Sequence, residues 1–352
     1  MKKQAIFAAV LCFSSTVLAG TYSGGDGTAE YPYQIADVND LLELSATTAD
    51  YNKNFILTAD INLTGRTFTQ APIAPDTDSE TDEFQGTQFT GVFDGDSHTI
   101  SNLTITVSTQ DYIGLFGSVG FGSQIHNLGV ENVNITGRDY VGGLVGNNDW
   151  GTLTVCYATG TVNGNSSVGG LVGYNAYYQS IAFCYATGAV NGTSRIGGLA
   201  GSNKGLLTSC YATSAVSGTD SIGGLVGLSW RGSLTNCYAS GSVSGTGYNV
   251  GGLVGWTYFS YLTTCFWDIQ TSGQTVAVGS GIWAGKGAGK TTSEMKTLST
   301  FTSVGWDFAS IWAMPLGQYP VLFLRQMGDL NSDARVDMQD LAILAANWLE
   351  GI

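Results

Sequence analysis

Apolar residues recur along this chain in a fixed phase with glycine. Val141-Gly142-Gly143-Leu144-Val145-Gly146 is followed by close copies starting at Val168, Ile196, Ile222 and Val250, and preceded by a shortened copy at 113–117. Successive starts lie 28, 27, 28, 26 and 28 residues apart. A second phrase, Cys156-Tyr157-Ala158-Thr159-Gly160, keeps step through variants beginning at Cys184, Cys210, Cys237 and Cys265. Short apolar stretches separated by turns rich in Gly, Asn and Ser, without an amphipathic helical pattern, predict β structure throughout the repeats. A fixed period of this size describes a solenoid or a propeller, in which each unit buries its apolar face on the next. Propeller blades usually need about 40 or more residues, so the period predicts an all-β, right-handed parallel β-helix with about three short strands per turn. In the second full repeat these strands are expected at 168–172, 181–186 and 189–191. Stacking would align Leu144, Leu171, Leu199, Leu225 and Leu253 in one column and the cysteines in another.

Outside the repeats the pattern changes. Residues 35–50, with Ile35, Val38, Leu41, Leu42 and Leu44, read as a short helix suited to covering the first open strand edges. Residues 55–63 read as a first strand, and 89–105 as early, irregular turns. Residues 291–326 leave the repeat and carry Trp306, Phe308, Trp312, Tyr319 and Phe323, an aromatic density suited to a closing cap. The expected organisation is therefore a leader at 1–19, an N-terminal cap with irregular turns at 20–110, the repeats at 111–290, a second cap at 291–326 and a small unit at 327–352. Lys2 and Lys3, the apolar stretch 5–13 and Val17-Leu18-Ala19 have the order of a secretory signal with its cleavage site. No later stretch approaches the ~20 apolar residues of a membrane helix. The expectation is an exported protein, extracellular or on the cell surface, with no membrane span.

Charge narrows the partners. Without the leader, 11 basic residues face 27 acidic ones, a net charge of −16. Attraction to nucleic acid or to an anionic membrane is excluded on that ground. The leader also removes one cysteine, leaving five in an oxidising compartment. Because they share one phase, stacking separates them by the ~4.8 Å strand spacing, wider than the ~3.8 Å between disulfide Cβ atoms. A buried ladder of free thiols is expected, with cysteine acting as a small hydrophobe.

Candidate chemistry is sparse. Asp111 and Asp139 sit two residues before their phrases in adjacent turns, about 5 Å apart when stacked, the separation of a retaining glycosidase pair; aspartate is equally a turn residue before a strand. Eight or nine residues after each phrase begins come Trp150, Tyr177, Lys204, Trp230, Arg231, Tyr258 and Phe259. Of these, Trp150, Tyr177, Trp230 and Phe259 form a candidate aromatic edge for stacking along a glycan; the competing reading is that the rings fold back over the core. The acidic stretch 76–83 lacks cation-loop spacing and reads as a solvated insertion. His98 and His126 lie in different turns without metal-ligand neighbours. Gly289-Lys290-Thr291 imitates the end of a phosphate-binding loop but lacks the strand-to-helix setting that motif needs.

The repeated Gly-Gly-Leu-Val-Gly phrase resembles the GLUG motif of exported bacterial proteins, as do Gly27-Thr28-Ala29-Glu30-Tyr31-Pro32-Tyr33-Gln34-Ile35, Phe93-Asp94-Gly95-Asp96-Ser97-His98-Thr99-Ile100 and Gly305-Trp306-Asp307-Phe308. The resemblance covers about residues 24 to 323. It implies a β-helical exported protein, often surface-associated or adhesive, and transfers no catalytic residue. The segment 329–340 resembles the calcium loop of a type I dockerin. Asp329, Asn331, Asp333 and Asp340 supply side-chain oxygens at loop positions 1, 3, 5 and 12, and Arg335 offers its carbonyl at position 7. Ala334 replaces the glycine expected at position 6. Calcium is the cofactor this implies, and a cohesin-like or cell-envelope protein the partner, although cohesin-binding dockerins carry two such segments and this chain has one. The leading reading is adhesion or polysaccharide binding, with a cell-surface glycan as partner. A polysaccharide-degrading enzyme or its accessory is the alternative, and a purely structural surface protein the third.

Overall fold

The computed structural model describes residues 20–323 apart from 79 and 82. The expected leader, 1–19, and the expected calcium-loop residues Asp329, Asn331, Asp333, Arg335 and Asp340 lie outside the described residues. The chain winds as a parallel β-solenoid. One inward ladder runs Phe55, Phe93, Ile125, Leu153, Ile181, Leu207, Leu234 and Leu262, each residue in register with its counterpart one turn away. Every main-sheet pairing is parallel, so the side chains facing inward stay in columns along the axis.

A turn contains more strands than the pattern predicted. The second full repeat has four, Ser166–Gly169, Val172–Asn175, Ser180–Ala182 and Tyr185–Asn191. The expected strand 168–172 crosses a corner at Gly170 and Leu171, and 181–186 crosses another at Phe183 and Cys184. Corner residues share the apolar pattern of a strand because their side chains also point into the core: Leu171 and Cys184 are fully buried. Phe183 takes a left-handed φ of 55°, and Val155, Ser209, Asn236 and Thr264 at the same place in other turns lie between 50° and 55°, which swings the chain before each cysteine.

The leucine column is complete and fully buried at Leu144, Leu171, Leu199, Leu225 and Leu253. At the corner after Val145–Asn148, buried amides form a second ladder. Asn148 Nδ2 donates to Asn175 Oδ1 (2.7 Å), and Asn175 Nδ2 to Asn203 Oδ1 (2.8 Å). Their remaining groups meet corner backbone, including Gly151 N (2.9 Å) and Gly205 O (3.1 Å), so the polar cost of burial is offset.

Among the described residues all five cysteines are buried and free. Each thiol donates to the carbonyl two residues before it, as Cys184 does to Ala182 at 3.2 Å and Cys237 to Thr235 at 3.2 Å. Burial pushes the thiols of Cys184, Cys237 and Cys265 well above the ordinary range, whereas hydrogen bonds with Cys184 and Cys237 outweigh burial and pull Cys210 below it. What shields all five from attack is that each is at most 1% exposed. A thiol reagent is expected to label none of the five in the native protein at pH 8 and all five in denaturant. Native labelling at the unfolded rate would contradict the ladder.

At the N-terminal end a helix, Val38–Ala46, buries Leu41 and Leu44. It starts at Asp37, whose carboxylate accepts from the amides of Asn39 and Asp40 while Asp40 reciprocates, a capping box. The aromatic segment expected to close the far end lies along the side of the last turns instead. Tyr157, Tyr185, Tyr211 and Tyr238 point outward and stack in a column with centroid spacings of 4.8, 4.8 and 5.0 Å. Met295, Phe301, Trp306, Trp312 and Leu322 pack with this column and Phe266 as a second core outside the solenoid. The alternation that turns each cysteine inward turns the next tyrosine outward, leaving an apolar stripe that the segment covers. No described helix is long and apolar enough to cross a membrane.

Candidate ligand-binding groove

Two outward positions of each turn build the site. The residue just before each of the first five phrases has left-handed backbone: Tyr112, Tyr140, Ser167, Arg195 and Ser221 have φ between 54° and 58°. That conformation turns the side chain out of the strand and makes one wall. Six residues after each phrase begins, Asn147, Tyr174, Ser202, Leu228 and Trp256 follow one another in register and make the floor. Asp149, Lys204 and Trp230 rise on the other wall, and Glu83, Phe84, Gly86 and Gln88 close over the N-terminal end. The groove between them has a volume of about 950 Å³ and runs along the solenoid axis.

Its surface alternates aromatic faces with polar groups. Tyr112 and Tyr140 stack at 4.9 Å, and Tyr140 meets Tyr174 edge-on at 5.7 Å. Further along, Trp230 lies 5.9 Å from Trp256 and 4.5 Å from Tyr258. Between these groups the Ser167 and Ser202 hydroxyls share a hydrogen bond of 2.9 Å. Gln88 Nε2 donates to Ser118 Oγ and Asp149 Oδ2, both at 3.1 Å, tying the N-terminal loop to the floor. Burial raises the Tyr140 phenol above its ordinary value, so it remains a neutral donor.

The expected aromatic edge divides in two. Trp230 faces the groove, whereas Trp150, Tyr177 and Phe259 stand at the corner outside it, 49%, 39% and 49% exposed. Positions eight and nine after a phrase are neighbours in an extended chain and point to opposite sides. At the corner, Trp150 meets Phe121, Tyr177 meets Tyr178, and Phe259 meets Tyr258. The groove residues Tyr174, Arg195 and Trp256 belong to no motif of the sequence. Their signal was their constant phase, which conveys position and not direction.

The two candidate catalytic carboxylates are both engaged in holding turns together. Asp111, 2% exposed, takes a two-pronged contact from Arg138, Nε to Oδ1 at 2.7 Å and Nη2 to Oδ2 at 2.8 Å, and accepts from the Asp139 amide at 3.0 Å. Asp139 accepts from the Ser166 amide (2.9 Å) and Asn165 Nδ2 (3.1 Å). Each thus ties its turn to the next. His98 and His126 pair with Asp60 and Asp94 at 3.2 Å. In the acidic loop, buried Asp76 accepts from the amides of Thr77 (3.0 Å) and Gln85 (2.8 Å), a structural turn. Among the described residues, no group of three or more His, Cys, Asp or Glu side chains is placed to hold a metal.

The GLUG motif matches residues 137–163, 164–191 and 218–244. Over 165 residues, 45% of this chain, the protein is 38% identical to halomucin of Haloquadratum walsbyi, and it spans 2% of halomucin's length. A solved Bacteroides ovatus structure described as a candidate immunoglobulin A1 protease has a TM-score of 0.51 at 22% identity, covering 86% of this chain and 95% of that one. A structure named IgA1 protease has a TM-score of 0.50 at 18% identity, over 72% of this chain and 21% of its own. At these identities the likeness is one of fold. The protein is a parallel β-solenoid, three of whose repeats match the GLUG motif.

Proposed function

We propose that this is an exported surface protein that holds polysaccharide in the groove along its solenoid and works in adhesion. The observation that carries the reading is one open groove in which the faces of Tyr112, Tyr140, Tyr174, Trp230 and Trp256 alternate with amide, hydroxyl and charged groups. A sugar ring offers the complement, an apolar face with a rim of hydroxyls. Export rests on the leader pattern at 1–19. The 327–352 segment would attach the protein to a cohesin-like or cell-envelope partner, with calcium held by Asp329, Asn331, Asp333 and Asp340 and the Arg335 carbonyl.

The test incubates the protein, with calcium, on a panel of soluble and insoluble polysaccharides and measures both bound protein and released sugar ends. Retention without release is expected. Trp230→Ala and Trp256→Ala should each lower affinity about tenfold, ~1.4 kcal/mol, while Trp150→Ala at the outer corner leaves it unchanged. Loss through Trp150 alone would move the site to the corner, and release of sugar ends would replace binding with turnover.

A further inference from the structure

The groove's charges point to the kind of polysaccharide it takes, an inference that rests on the reading above. Arg195 and Lys204 belong to one turn, on opposite walls, with the small, buried Ser202 on the floor between them. Among the described residues neither makes an ion pair. Lys204 Nζ lies over the rings of Tyr174 (5.1 Å) and Tyr177 (5.0 Å), which fixes its charge beside the groove without neutralising it. The Ser202 hydroxyl, bonded to Ser167 at 2.9 Å, adds a polar floor. Two unpaired cations facing one another are notable in a chain whose acids outnumber its bases 27 to 13. Glu83 and Asp149 line the same groove nearer its N-terminal end, where Gln88 holds Asp149.

We infer that the groove binds an anionic polysaccharide, seating a carboxylate or sulfate substituent over Ser202 between Arg195 and Lys204. The planar guanidinium fork suits either oxyanion. The rings on either side supply the stacking: Tyr174 one turn before Ser202 and Trp256 two turns after it. At ~4.8 Å per turn these rings lie about 14 Å apart along the axis, so the chain would run lengthwise with its charged group between two stacked sugars. The acidic end near Glu83 and Asp149 would receive hydroxyls instead.

The experiment compares polygalacturonate with its methyl ester, the same backbone without charge, and dextran sulfate with dextran. The full chain is used, in chelator, so that calcium cannot bridge acidic protein to acidic polymer. Retention of the charged member of a pair is expected to exceed that of the neutral member about tenfold, and the pair with the larger gain names the anion. Arg195→Gln combined with Lys204→Gln should abolish that gain, so that the variant retains the charged and neutral members of each pair alike within about twofold, at an unchanged melting temperature. Equal retention within both pairs, or an undiminished gain in the double variant, would overturn the anion site and leave glycan binding standing. Failure to retain any polymer would overturn both.

Discussion

Alanine at position 188 is expected to break the middle of the solenoid. Gly188 sits within the Tyr185–Asn191 strand at a φ of 122°, paired with Gly160 at the same φ one turn below. These glycines bend their strands between two sides of a turn. A Cβ at 188 would stand 1.9 Å from the Gly160 carbonyl oxygen, so backbone meets backbone and no rotamer relieves it. The turns would have to separate, breaking ladder hydrogen bonds and opening the core at Val162 and Val190. A loss above ~4 kcal/mol is expected, seen as a large fall in the denaturant midpoint. Gly65→Ala is the control. Gly65 also has positive φ, 80°, but nothing lies within 4 Å of its added Cβ, so only backbone strain of ~1 kcal/mol remains. Similar losses at the two positions would show that conformation, and not the close approach of turns, sets the cost.

Tyr238→Ala is expected to free the segment 291–323 while leaving the solenoid wound. Tyr238 is the hub of the outer core, stacked on Tyr211 and facing Trp312 at 6.1 Å, with its hydroxyl donating to Pro320 O at 2.6 Å. Burial keeps the phenol protonated by pushing its pKa far up. Truncation should cost the attachment about 3–5 kcal/mol, read as a red shift of the buried Trp306 and Trp312 and early proteolysis within 291–323. The far-UV spectrum of the solenoid should persist; its loss would show the segment to be integral to the fold. Asp268 makes the same attachment pH-sensitive. It accepts from Tyr319 Oη and Thr292 Oγ1, each at 2.7 Å, and from the amides of Gln270 and Thr271. Although burial works against its charge, these bonds hold its carboxyl below the ordinary 3.8. A lowered folded-state pKa means the stabilisation is complete above the unfolded value and is lost as pH falls through the lowered one. Release should therefore begin below about pH 4 and be absent between pH 5 and 8; Asp268→Asn should remove this acid step.

The period of the repeats was enough to read the stack and its leucine and cysteine columns, because identical residues in identical phase admit one register; the N-terminal helix was legible separately, in the apolar spacing of Val38, Leu41 and Leu44. The corners were not legible. Left-handed residues as different as Phe183, Asn236 and Thr264 occupy one corner, so residue type does not announce the bend. The groove was hidden for the same reason. Its wall depends on the outward swing of Tyr140 and Arg195, and its N-terminal rim on an insertion that returns from residues 83–88 to meet Asp149. The tyrosine of the second phrase was visible as a repeat, but its cover lies far along the chain at Trp306 and Trp312, an association that local pattern does not encode.

The in-register ladders also bear on how such a protein changes length. Through the middle repeats Tyr stacks on Tyr, Ala on Ala and, at one corner, Asn148 on Asn175 and Asn175 on Asn203. Duplication or loss of one whole unit would therefore leave a chain whose columns still match, because the incoming turn presents its neighbours with the faces they already meet. The groove would lengthen or shorten by one turn with each event, while the singular contacts at the two ends stayed intact. Ligand length would then be a quantity that recombination adjusts in whole steps, and point substitutions on the two outward positions would retune each step independently of the core beneath.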